Sequence, residues 1–65
     1  MRGTVTEFDA HVGRGVVRSE NGRDYGFHCV QIADGSRTIK VGTKVEFEVI
    51  PGPPGTWEAG TVRPQ

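Results

Sequence analysis

The sequence has no leucine and only three alanines, so the two commonest apolar helix formers are nearly missing. Its single cysteine, Cys29, excludes an internal disulfide framework and suggests a reducing compartment. Net charge is absent too: eight Lys and Arg balance eight Asp and Glu, which gives no global pull toward nucleic acid or an acidic membrane surface. No apolar run approaches the ~20 residues of a membrane span, and Met1-Arg2-Gly3 lacks the apolar core of a signal peptide. A cytoplasmic protein with no membrane partner is the expectation.

What is present is β-branched. Nine valines, three isoleucines and six threonines favour pleated strands over helices. Ten glycines and four prolines punctuate the chain every few residues and leave no room for a helix of ordinary length. At 65 residues the chain reads as one domain, residues 1–65. A chain of this size buries only roughly 60% of its unfolded surface, so modest stability is expected. Short strands with frequent turn signals indicate a small barrel or sandwich.

The clearest stretch runs from Gly13 to His28. Gly13-Arg14-Gly15-Val16-Val17 and Asp24-Tyr25-Gly26-Phe27-His28 read as two strands joined by a tight turn at Asn21-Gly22, because both turn residues tolerate positive φ. Alternation places Arg14, Val16 and Arg18 on one face and Val17 on the other. Tyr25 and Phe27 share a face opposite Asp24, Gly26 and His28. One face of the hairpin is therefore apolar. The other carries Arg14, Arg18 and His28, with Gly26 leaving room for something flat.

Elsewhere Gly3–Phe8 reads as a first strand and Asp9–Gly13 as a turn. Cys29–Lys40 is irregular, pinned to the core by Ile32 and Ile39. Lys44–Ile50 is a strand with Val45, Phe47 and Val49 inward. Pro51–Gly55 reads as a loop, because proline cannot donate to a ladder. Trp57–Val62 is a last strand, and Arg63-Pro64-Gln65 reads as frayed. Five strands in this length predict an all-β, five-stranded antiparallel Greek-key barrel of the OB type. The expected interior is Val5, Val17, Phe27, Val45, Phe47 and Val49.

Catalytic and metal patterns are not found. Ser19 and Ser36 sit in turn-like stretches. His11, His28 and Cys29 lack the spacing of a metal site, and Gly13-x-Gly15 has no following helix to make a nucleotide fingerprint. No enzyme activity, cofactor or metal is expected.

The order Gly3-x-Val5, Phe8, Gly13-x-Gly15, Val17, Asp24, Phe27-His28, Ile32 resembles the bacterial cold-shock domain. Gly42-x-x-Val45-x-Phe47-x-Val49, Gly52-x-x-Gly55 and Ala59-Gly60-Thr61-Val62 extend the resemblance over nearly the whole chain, with Thr61 where that family has asparagine. The resemblance implies the OB-type barrel and binding of single-stranded RNA or DNA by stacking bases on exposed aromatics, each stack worth roughly 1–3 kcal/mol. The chain departs from the family at those aromatics: Glu7, Arg14, Val16, Gly26, Cys29 and Arg37 stand in their places, while Phe8 and His28 remain.

Two functions follow. In the first, a weak and largely sequence-nonspecific single-strand binder uses Phe8, Arg14, Val16, Arg18, His28 and Arg37, with Trp57 as a replacement platform. A guanidinium can itself stack on a base, and Arg14, Arg18, Arg37, Lys40 and His28 are expected to form a local positive patch. Three such arginines predict a salt slope near −2, at about −0.7 per neutralised phosphate. In the second, the barrel has lost nucleic-acid binding and serves as a protein-interaction or regulatory module. Its arginines are then solvated surface, and Trp57 packs against the core. Phe8 is divided between core edge and binding surface, and Cys29 reads as a small buried hydrophobe.

Overall fold

The β-branched stretches pair into a closed barrel. A computed structural model describes all 65 residues. Its strands are β1 (Arg2–Asp9), β2 (Arg14–Ser19), β3 (Asp24–His28), β4 (Lys44–Pro51) and β5 (Trp57–Pro64), with a single 3₁₀ turn at Cys29–Gln31. The order around the barrel is β1-β2-β3-β5-β4. Neighbours are antiparallel except where β3 meets β5, in parallel, through Gly26 and Glu58 alone. No helix is long and apolar enough to cross a membrane.

Alternation decides what lies inside. Val5, Val17, Tyr25, Phe27, Val45, Phe47, Ala59 and Val62 fill the interior, and Ile32 closes one end through a bridge to Val62. The Tyr25 and Phe47 rings meet at 5.6 Å between centroids. Each fully buried large apolar side chain contributes about 1.5–3 kcal/mol. Ile39 is half-buried against this core. Val49 is also only half-buried, because β4 runs out of the barrel beyond Phe47. Cys29 is half-buried rather than buried. Gly15 makes the approach of β1 possible: a Cβ there would lie 2.7 Å from the Phe27 ring.

Four boundaries differ from the sequence expectation. The β2–β3 connection is not a two-residue turn; only Gly22 adopts positive φ (87°). Ser19 donates its N–H to the Arg23 carbonyl at 2.8 Å, closing a longer loop. There the Asn21 side chain accepts from the Ser19 hydroxyl and the Arg23 amide. Pro51 is not loop but the end of β4, opposite Trp57. The C-terminal residues are not frayed: Arg63 and Pro64 pair with Glu46 and Val45, and the Gln65 amide donates to the Lys44 carbonyl at 2.8 Å. Proline is tolerated at such strand ends because its missing donor is not needed there. The first strand is longer at both ends than Gly3–Phe8, since Arg2 pairs with Glu46 and Asp9 with Arg14.

Candidate nucleic-acid interface

The outward residues of four strands line up in one row. Glu7 on β1 is opposite Val16 on β2, Val16 is opposite Gly26 on β3, and Gly26 is opposite Glu58 on β5. Beside this row Arg14 is opposite His28, and on the other side Arg18 is opposite Asp24. A bulge in β1 between Val5 and Glu7 resets the alternation so that Glu7 faces outward. An open groove of about 620 Å³ runs over the row and is lined by Glu7, Phe8, Arg14, Val16, Gly26 and Val41, among others.

Arg14 crosses the groove floor. Its Nη2 is 2.9 Å from Glu58 Oε2 and would be 3.4 Å from a Cβ at Gly26. The guanidinium therefore occupies the space that the missing side chain of Gly26 leaves free. Glu58 is the more buried partner, its side chain 20% exposed against 45% for Arg14. Arg18 makes a two-pronged contact with Asp24, Nε to Oδ1 at 2.8 Å and Nη2 to Oδ2 at 3.2 Å. That hydrogen bond holds the Asp24 carboxyl below its ordinary range and raises the guanidinium further.

These contacts overturn the expected positive patch. Arg14 and Arg18 stand on the face as foreseen, but a carboxylate from a neighbouring strand neutralises each. Arg37 and Lys40 make no ion pair and lie in the exposed segment before β4. Arg37 adopts φ 59°, and no contact ties it to the β2–β3 face.

The aromatic candidates separate. Phe8 is half-buried and stacks on Phe27 with centroids 6.0 Å apart and planes 14° from parallel, and it also lines the groove. The His28 Nδ1 accepts the Val30 amide at 3.3 Å and caps the 3₁₀ turn, which fixes the ring beside Arg14 and leaves Nε2 to carry the proton of the neutral form. Trp57 is 60% exposed, so it does not pack in the core. It lines a separate hollow with Pro51–Thr56, away from Arg14.

Two features of the site escaped the sequence reading. Glu58 is 44 residues from Arg14, and no local pattern announces their meeting. Glu7 was read only as standing in the place of an aromatic, although alternation with a bulge correction places it in the row.

The model of the 'Cold-shock' DNA-binding domain family matches residues 1–64. The chain belongs to the cold-shock domain family. It is 34% identical over 64 residues to the cold shock-like protein CspC of Bacillus cereus, covering 97% of this chain and 98% of that one. It is 40% identical over 55 residues to the major cold shock protein of Streptococcus pyogenes, covering 83% and 82%. A cold shock-like protein of Thermotoga maritima is 39% identical over 56 residues, 85% of each chain. Membership of this family supports nucleic-acid binding in general. Where the resemblance implies exposed aromatic rings, the outer face of this chain carries the guanidinium–carboxylate pairs Arg14–Glu58 and Arg18–Asp24.

Proposed function

We propose that the domain binds single-stranded RNA or DNA weakly and with little sequence demand, on the face of Arg14, Val16, Arg18 and His28. The observation that carries this is the Arg14 guanidinium held beside the open face of Gly26 and anchored by Glu58. A fixed planar cation offers a base a stacking surface without the entropy loss of a free side chain. The His28 ring, directly opposite Arg14, provides a second plane, with Cβ atoms of such a pair about 5 Å apart. Phe8 lines the groove, Arg18 is held by Asp24, and Arg37 reaches a phosphate from the loop. Trp57 serves a strand only where that strand extends past β5.

Because Arg14 and Arg18 are already paired, stacking carries more of the affinity than phosphate pairing. The salt slope is therefore shallower than −2, close to the value of about −0.7 expected for a single neutralised phosphate. Fluorescence anisotropy with a short labelled single strand at low salt tests the reading. Arg14→Ala and His28→Ala should each weaken binding about tenfold, within the range for one lost stack, while circular dichroism shows the barrel still folded. Binding that is absent at low salt in the parent would leave the barrel as a protein-interaction module instead.

A further inference from the structure

Glu7 is the one carboxylate on the row that has no assigned partner. It is exposed, opposite Val16, and makes no ion pair. The other carboxylates of this face are occupied. Glu58 holds Arg14 and Asp24 holds Arg18, while Asp9 accepts the amides of His11 and Val12 at 2.9 and 3.1 Å. Glu7 thus presents two free acceptor oxygens at the β1 wall of the groove in which the Arg14 guanidinium forms the floor. From Glu7 to Gly26 is two strand spacings, roughly 10 Å, which accommodates a base lying flat between them.

We propose that Glu7 makes this surface prefer guanine. This deepens the single-strand reading above and rests on it. A base stacked on Arg14 over Gly26 and Val16 turns one edge toward β1, where the free carboxylate accepts hydrogen bonds and donates none. Guanine is the base whose Watson–Crick edge offers two adjacent donors, N1–H and the N2 amino group, and these match the two oxygens of a carboxylate in a charge-assisted bidentate pair. Thymine and uracil place a single N3–H between two carbonyl oxygens, which the carboxylate repels. Cytosine and adenine offer an amino group beside a ring nitrogen acceptor, so only one of the two bonds forms. Val16 supplies an apolar floor to the same groove and adds no competing polar group.

The test uses three short deoxyoligonucleotides: one guanine in a thymine background, the same strand with hypoxanthine in its place, and the all-thymine strand. Hypoxanthine keeps the stack and N1–H but lacks the N2 amino group. In the parent protein the guanine strand should bind about tenfold tighter than the all-thymine strand, the scale of one bidentate base contact, with hypoxanthine between them. Glu7→Gln keeps the shape, removes the charge and replaces one acceptor with a donor. It should bring all three strands within about twofold of one another, chiefly by weakening the guanine strand and strengthening the thymine one. A purely structural role for Glu7 would lower all three equally. Equal binding of the three strands by the parent, or a guanine preference that survives in Glu7→Gln, overturns the base choice and leaves single-strand binding standing. No binding to any of the three overturns both.

Discussion

On the inner face of the β2–β3 hairpin, Val17, Tyr25 and Phe27 are buried and close-packed against β1 and β4. One residue along each strand, on the outer face, Arg14, Arg18 and His28 are exposed and Val16 and Gly26 half-buried. The two faces belong to the same strands, in the same register, yet they obey different constraints. Inside, a change of volume or polarity is felt at once, because interiors are packed to crystal-like density. Outside, the barrel requires only that charges be solvated or paired, and Arg14–Glu58 and Arg18–Asp24 meet that requirement. A cold-shock barrel therefore keeps its fold while the chemistry of its surface changes. Loss of the aromatics is a statement about ligand contact and not about stability.

The inner face breaks most severely. Phe47 is fully buried against Tyr25, and Phe47→Ala should cost about 3–5 kcal/mol, on the order of the whole stability of so small a domain. Thermal unfolding followed by circular dichroism would show a collapse of the transition, and an unchanged melting temperature would place Phe47 outside the core. The outer face should behave oppositely. A variant with phenylalanine at Arg14, Val16 and Gly26 should keep the barrel fold by circular dichroism and bind a short single strand more tightly, by about 1–3 kcal/mol for each base stacked. Space for the ring at Gly26 exists once the Arg14 guanidinium is removed. A triple variant that folds but gains no affinity would show that this face is not where strands bind.

Much of this contrast was legible in the sequence. Alternation in Arg14–Arg18 and Asp24–His28 assigned both faces of the hairpin correctly, because a period of two leaves no freedom once one face is buried. The interior was mostly named from Val5, Val17, Phe27, Val45 and Phe47. Ala59 and Val62 were missed as core because β5 enters the barrel through non-local pairing with β4 and β3. The same non-locality hid Glu58 from Arg14, so Arg14 was read as part of a positive patch when a carboxylate already pairs it. Pro51 and Pro64 were misplaced for a local reason: proline argues against a ladder only where its absent N–H is required.

A smaller effect lies outside both faces. Thr61 adopts φ 46°, where a β-branched residue is strained, and its amide donates to Gln31 Oε1 at 3.1 Å. Thr61→Asn should raise stability by about 1 kcal/mol, since asparagine tolerates the left-handed region, and thermal or denaturant unfolding would read it. A loss of stability would mean that the threonine side chain makes a compensating contact.

The smallest expected effect is on acid tolerance. Hydrogen bonds from Arg18 and Arg63 hold the Asp24 and Glu46 carboxyls below their ordinary values. Groups depressed in the folded state stabilise above their unfolded pKa, and that contribution disappears as pH falls through the folded value. Both carboxylates are exposed, so the change is modest. The melting temperature should decline slightly as pH drops below the usual carboxylate range, and less so in Asp24→Asn. A parent whose melting temperature rises with acidification would reverse the sign.

The contrast between a packed interior and a surface of self-neutralised charge meets its most direct test in the salt dependence of single-strand binding, measured by anisotropy for the parent and for Glu58→Gln. Removing the Glu58 charge frees Arg14 for phosphate without touching the core. The parent should show a shallow slope of log affinity against log salt, near −0.7, and Glu58→Gln should bind more tightly at low salt with a slope steeper by about 0.7, one further phosphate neutralised. A parent slope of about −2 that Glu58→Gln leaves unchanged would mean that Arg14 and Arg18 already face phosphate as free cations, and would contradict the paired surface described here.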